Sequence, residues 1–279
     1  MKPTLHAGGS ADLIELDPDH PGFRDRVYRD RRNTIAQIAL SYRSGSSIPE
    51  APYTKEEHGV WNTIWTQLEP LHQQLVTKEI LELQQFLPLS HTEIPQLNSL
   101  NHQLQSAAGF RFEPVAGLVT ARTFMRYLGK RVFLSTQYIR HHSRPLYTPE
   151  PDVVHELIGH AATLVHPGIA EVNRLLGDAA DVATEEEMER IGSMYWYTME
   201  FGLVRENDDI KAFGAGLLSS CGELEGFSKR ARIHKWDLET IAQTPFDPTT
   251  FQTDLFVAPS FTQLLVDVSR WVRNGDWRS

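Results

Sequence analysis

With Cys221 the only cysteine among 279 residues, no disulfide can close within this chain. That suits a reducing compartment and predicts a cytoplasmic protein. Cys221 itself reads as a small buried hydrophobe rather than a reactive thiol. No run of about 18 apolar residues occurs, so no membrane-spanning helix is expected. Residues 1–18 hold acidic side chains and glycines but no apolar centre, unlike a secretory signal. Positive charge is also scarce: 27 Lys and Arg face 36 Asp and Glu, a formal net charge of −9. Nothing in that balance attracts nucleic acid or anionic lipid globally. The one basic cluster, Arg24, Arg26, Arg29, Arg31 and Arg32, is interleaved with Asp25 and Asp30 and reads as a solvated helix face. No repeat, low-complexity tract or long Pro/Gly/Ser linker divides the chain. A flexible segment over residues 1–20 and a single domain over 21–279 are expected.

Most of what remains has helical pattern. Helices are predicted over 25–42, from Thr54 (with Glu57 completing a capping box) to a kink or end at Pro70, over 71–87, and over 95–107. Further helices are predicted over 120–128, 151–165, 169–180, 185–201, 217–227 and 260–271. Alternation marks a strand over 110–115, with shorter ones over 132–134, 211–213 and 255–257. The fold class is therefore mainly α with minor β.

The densest chemistry lies in His155-Glu156-Leu157-Ile158-Gly159-His160. A zinc-protease motif spaces its histidines at i and i+4 on one helical face. Here they stand at i and i+5, about 140° apart on an ideal helix. Both imidazoles reach one ion only if the helix is locally widened or reoriented, which Gly159 is placed to permit. Glu200 is the best third ligand: it lies among aromatic and apolar residues, where an unpaired carboxylate would cost several kcal/mol. Two histidines and one carboxylate with open positions form the facial triad of non-haem Fe(II) oxygenases. Glu156 need not be a ligand, and its side chain points elsewhere.

Longer segments then become recognisable. Thr148-Pro149-Glu150-Pro151-Asp152 with the histidine motif, Glu200-Phe201-Gly202-Leu203, and residues 211–220 around Gly214-Ala215-Gly216 resemble the pterin-dependent aromatic amino acid hydroxylases. So do Thr136-Gln137-Tyr138-Ile139-Arg140-His141, Pro114-Val115-Ala116-Gly117-Leu118 and His20-Pro21-Gly22-Phe23. The resemblance implies a basket-like, mostly helical catalytic domain that uses Fe(II), O2 and a tetrahydropterin such as tetrahydrobiopterin to hydroxylate an aromatic amino acid. By position, His155, His160 and Glu200 would hold the iron. The pterin would stack on Phe124 and lie along Val115, Gly117, Leu118 and Val119, with Glu156 and Tyr195 nearby. Arg140 would clamp the amino acid carboxylate, supported by Thr148, Gly216 and Ser219. Pro151, Trp196 and Phe201 would enclose the ring, and Tyr53 takes the place of a mobile lid residue.

Trp196 resembles the phenylalanine and tyrosine enzymes, whereas the tryptophan enzymes carry a smaller aromatic there. Phe246-Asp247-Pro248-Thr249 resembles a substrate-selecting loop, and Pro248 stands where tyrosine hydroxylases have an acid. Phenylalanine is thus the expected substrate, most simply converted to tyrosine. Tryptophan, or meta hydroxylation, is the alternative. Ala161-Ala162 replaces the family's usual Val-Pro and is expected to enlarge the cavity beside the metal. Leu134 replaces a polar residue of the animal enzymes near the pterin. No regulatory domain or tetramerisation helix of the animal enzymes is recognised, which leads to the expectation of a monomer. A metal-dependent hydrolase using Glu156 as base, and a non-catalytic binding protein, are the readings of other classes.

Overall fold

The computed structural model describes residues 13–278. Of the expected flexible segment, residues 1–12 lie outside the described residues. Leu16 and His20 are buried, and the Leu13 amide donates to Asn33 Oδ1 at 2.9 Å. Helix α1 (Arg26–Ser41) begins where the Asp25 side chain accepts the Tyr28 amide. Arg32 corrects the reading of the basic cluster as a solvated face. It is buried, bonds Glu150 at 2.7 Å, and lies over the Tyr138 ring at 3.3 Å.

Thr54 and Glu57 form the expected capping box of α2 (Lys55–Leu75). Pro70 neither ends nor divides this helix, contrary to expectation, because Leu68 and His72 on either side are buried and hold it to the core. The break comes at Val76 and Thr77, where the backbone leaves the helix to pair with Ala212. Thr77 then caps α3 (Lys78–Gln84). Helix α4 (Leu97–Ala108) stops at Gly109, whose φ of 72° is left-handed. Strands β1 (Arg111–Pro114) and β2 (Val132–Ser135) pair in parallel, joined by the crossover helix α5 (Ala121–Gly129).

The centre departs from regular α-helix in two places. Residues His155–Ala161 form a π-helical turn, followed by α6 (Ala162–Leu164) and α7 (Pro167–Val182). Helix α8 (Glu185–Tyr195) runs into a second π-helical turn, Trp196–Glu200. Then come β3 (Leu203–Glu206), β4 (Asp209–Ala212), α9 (Ala215–Leu218) and α10 (Cys221–Arg230). The helix expected over 217–227 is thus two helices, because the Ser220 side chain caps the second by accepting the Glu223 amide. Strand β5 (Arg232–Lys235), α11 (Leu238–Gln243), β6 (Asp254–Ala258) and α12 (Phe261–Asn274) complete the chain. The second sheet runs β4-β3-β6-β5, antiparallel only between β3 and β4.

The architecture is mainly α with minor β, and one apolar cluster extends from Ile48 to Trp277. Cys221 is buried, as expected. Ala161 and Ala162 lie wholly inside this core and do not line the cavity. The expectation that they enlarge the cavity is therefore corrected: their small side chains serve helix packing. Among the described residues, no helix is long and apolar enough to cross a membrane.

Candidate metal centre and its cavity

The π-helical turn answers the spacing problem. Where backbone bonds run from i to i+5, five residues make about one full turn, so His155 and His160 share a face. Gly159 contributes differently from what the sequence suggested. A Cβ there would lie 2.6 Å from the Ala215 carbonyl, so the missing side chain is what lets α9 pack directly on this turn. The second π-helical turn delivers Glu200 to the same point.

There the two Nε2 atoms stand 3.0 Å apart. Glu200 Oε1 is 3.0 Å from His160, and Oε2 is 3.5 Å from His155. One face of an octahedron with bonds of about 2.1 Å has edges of about 3.0 Å, so three donors so placed can share one cation. The shifts of His155 and Glu200 agree with that use. Burial pushes His155 down to about 4 against the pull of Glu200, which keeps the ring neutral. Burial alone would raise Glu200, but the imidazoles of His160 and His155 outweigh it and hold the carboxyl at about 2. The buried Tyr195 hydroxyl faces this carboxylate and has no other partner among the described residues.

Ser219 fixes the tautomer of His155. Its hydroxyl donates to the Ala215 carbonyl at 2.8 Å and lies 3.0 Å from His155 Nδ1. A hydroxyl whose hydrogen is committed to a carbonyl can only accept from the imidazole. Nδ1 therefore carries the proton, and the Nε2 lone pair faces Glu200 and His160.

The donors open into a cavity of about 1130 Å³. Its walls include Val115, Gly117, Leu118, Val119, Phe124, Glu156 and Tyr195, all seven residues expected at the pterin. Pro151, Trp196 and Leu134 line it as well. Phe124 meets Phe133 and Tyr195 edge-on, at centroid distances of 5.2 and 5.8 Å. Glu156 accepts from the Thr136 amide and hydroxyl at 3.1 and 3.0 Å, while burial pushes its carboxyl up to about 7.

The other expected site residues stand behind this wall. Arg140 is buried and spends its fork on Asp152, with Nε to Oδ2 at 2.8 Å and Nη2 to Oδ1 at 2.7 Å. Asp152 also accepts the Arg140 and His155 amides. The motif contained Asp152, but only the structure reveals it as the partner of Arg140. Thr148 donates to the Glu150 carbonyl. Gly216 packs under the Phe201 ring, which a Cβ would meet at 2.7 Å. Tyr53 donates to the Gln137 carbonyl at 2.7 Å and packs beside Ile35, Ala51 and Tyr138, away from the cavity. Sequence reasoning also missed Gln252, which accepts the Trp196 indole N–H at 2.8 Å. Phe246 stacks on that indole at 4.4 Å and lines the cavity.

Comparison with known proteins agrees with this geometry. Residues 10–276 match the family model described as biopterin-dependent aromatic amino acid hydroxylase. The chain belongs to this family. A mouse tyrosine 3-monooxygenase is 43% identical over 253 residues, covering 89% of this chain and 51% of the relative. A bovine phenylalanine-4-hydroxylase is 43% identical over 265 residues, covering 93% and 58%. The chain thus spans about half the length of the curated relatives it matches. The crystal structure of Chromobacterium violaceum phenylalanine hydroxylase with bound iron(III) and 7,8-dihydrobiopterin aligns with a TM-score of 0.75 at 29% identity. That alignment covers 86% of this hydroxylase-family chain and 90% of the other.

Proposed function

We propose that this chain is a pterin-dependent monooxygenase that hydroxylates the ring of L-phenylalanine, with His155, His160 and Glu200 holding Fe(II). The observation that carries the reading is the convergence of these three donors at the wall of one cavity that also contains every residue expected at the pterin. Two imidazole Nε2 atoms facing each other at 3.0 Å, with both oxygens of the Glu200 carboxylate within 3.5 Å, are placed to share one cation. Bound iron and tetrahydropterin would supply oxygen activation and the electrons it consumes.

The chain's own residues do the rest. Phe124 offers an aromatic face to a flat bicyclic ring. Trp196, Phe246 and Pro151 bound the space for the substrate ring and exclude water. Arg140 bonds Asp152 through Nε and Nη2, which fixes the guanidinium behind the segment that leads into His155 and leaves Nη1 as the donor suited to an amino acid carboxylate.

Phenylalanine is favoured over tyrosine by the loop after Phe246. The Asp247 carboxylate accepts from the Thr249 amide and hydroxyl at 2.8 and 2.6 Å, closing its own turn and leaving Phe246 to line the cavity. Asp247, the one acid of this loop, is not among the residues that line the cavity, which leaves no carboxylate of the loop facing a substrate phenol.

The test is competition. Iron-loaded protein receives tetrahydrobiopterin, O2 and equal low concentrations of phenylalanine, tyrosine and tryptophan, and products are resolved by mass spectrometry. Tyrosine formed from phenylalanine should dominate. Faster conversion of tyrosine to a catechol would overturn the substrate assignment. Hydroxylation that proceeds unchanged with zinc in place of iron would overturn the metal assignment.

A further inference from the structure

The chain has twelve histidines, and the proposed iron centre uses two. A second convergence of donor atoms begins one residue after Arg140. One ligand atom each from Asp25, His141 and His142 lies within 4.8 Å of the others. Among the described residues, only this trio and the group of His155, His160 and Glu200 meet that condition.

We infer that Asp25, His141 and His142 form a second metal site, for a divalent transition-metal cation of the zinc class. The donors are already arranged for it. Asp25 divides its carboxylate: Oδ1 caps α1 by accepting the Tyr28 amide, and Oδ2 is left 3.2 Å from His141 Nε2. Tetrahedral bonds of about 2.0–2.1 Å separate neighbouring donors by about 3.4 Å, so this pair stands near the edge length of an occupied site. The helix cap holds the carboxylate in place before any ion arrives.

His141 is buried, and the Tyr28 ring meets it edge-on at 4.9 Å. Behind it, Nδ1 lies 2.7 Å from Ser143 Oγ. That hydroxyl can accept an Nδ1–H, the outer contact that turns an Nε2 lone pair toward a metal. Without metal, the Ser143 amide donates to Nδ1 and the ring proton sits on Nε2, facing Asp25. A cation at Nε2 therefore shifts the ring proton to Nδ1, where Ser143 Oγ accepts it in place of the amide contact.

The third donor, His142, packs against His141 with ring centroids 4.2 Å apart. Its side chain is 42% exposed, so it is free to close on an ion arriving from solvent, and Glu56 stands 3.8 Å from its Nδ1 as a neighbouring carboxylate. Two imidazoles and one carboxylate favour zinc, nickel or copper over magnesium or calcium. Water would complete the shell. An ion here ties the start of α1 to the segment that carries Arg140.

Zinc titration of the iron-loaded protein tests this, with iron and zinc both counted per chain. Wild type should take up one zinc while keeping its iron, and its thermal midpoint should rise. Zinc affinity should fall at least about tenfold in His142→Ala and in Asp25→Asn. Asparagine still caps a helix, so the second variant keeps α1. His155→Ala should lose iron yet bind the zinc, which separates this site from the proposed catalytic one. Equal zinc uptake by wild type and both site variants, or none beyond the iron centre, would sink the inference.

Discussion

Two buried charged groups lie within a few residues of each other and end in opposite states. Arg140 and Asp152 satisfy one another: two side-chain bonds join them, and a backbone amide reinforces the carboxylate. His155, His160 and Glu200 converge just as tightly, but two nitrogen donors face each other with only a carboxylate beside them. Both arrangements remove ions from water, which costs several kcal/mol per charge unless a partner offsets it. In the first the partner is in the chain. In the second it has to come from outside. Incomplete pairing in a buried cluster is what distinguishes a place that binds from a place that holds.

Removing a donor from the incomplete group should have the largest effect. Glu200→Ala and His160→Ala are each expected to abolish iron binding and hydroxylation together, with iron content read by elemental analysis and fold by circular dichroism. The proteins should remain folded, since each loses an ion whose purpose lies outside the fold. If either variant kept a full complement of iron, the ligand assignment would fail.

The complete pair should break in the other direction. Arg140→Ala leaves Asp152 buried and unpaired, at a cost of about 3–5 kcal/mol. Denaturant unfolding measures this, and iron content is expected to fall as the segment leading into His155 loosens. Replacing both partners, Arg140→Met with Asp152→Leu, should recover most of the stability while leaving substrate binding impaired. A single Arg140→Ala variant as stable as wild type would assign the guanidinium to substrate alone.

Much of this contrast was legible in the sequence, and what was not has physical reasons. The i to i+5 histidine spacing required a widened turn, because 3.6 residues per turn cannot bring both rings to one side. The capping box at Thr54 is local and left a local signature. Strands β3 and β5 did not, since each is four residues long and stabilised by pairing with β6. Pro70 misled because tertiary burial of Leu68 and His72 outweighs one missing amide. The partnership of Arg140 with Asp152 spans twelve positions and a change of direction, so spacing could not reveal it. Ala161 and Ala162 show the same gap: small residues next to a ligand suggest an open cavity, yet which way they face is decided by packing.

A smaller effect is expected one step behind the metal. Ser219→Ala removes the acceptor that fixes the His155 tautomer, and such outer partners are worth roughly 10- to 100-fold in metal affinity. The iron dissociation constant of Ser219→Ala should rise by about that much, while stability changes little. Ser219→Thr, which keeps a hydroxyl, should restore part of the affinity. If both variants bind iron like wild type, the bond to His155 is incidental.

The smallest effect concerns the aromatic wall, where two explanations of selectivity can be separated. Trp196 bounds the cavity by its volume, and it also tethers the 246–252 loop through its indole N–H to Gln252. Gln252 in turn donates to the Asp247 and Thr250 carbonyls, so the tether reaches the segment that presents Phe246. Trp196→Phe removes both volume and tether, and should raise the relative kcat/KM for tryptophan over phenylalanine. A hydrocarbon wall discriminates by only about 1–3 kcal/mol per methylene-sized change, and one hydrogen bond contributes about 0.5–1.5 kcal/mol. Gln252→Leu removes the tether while the indole keeps its bulk. If volume sets the boundary, only Trp196→Phe shifts the ratio. An equal shift in both variants would mean that the loop, held in place by one hydrogen bond, chooses the substrate.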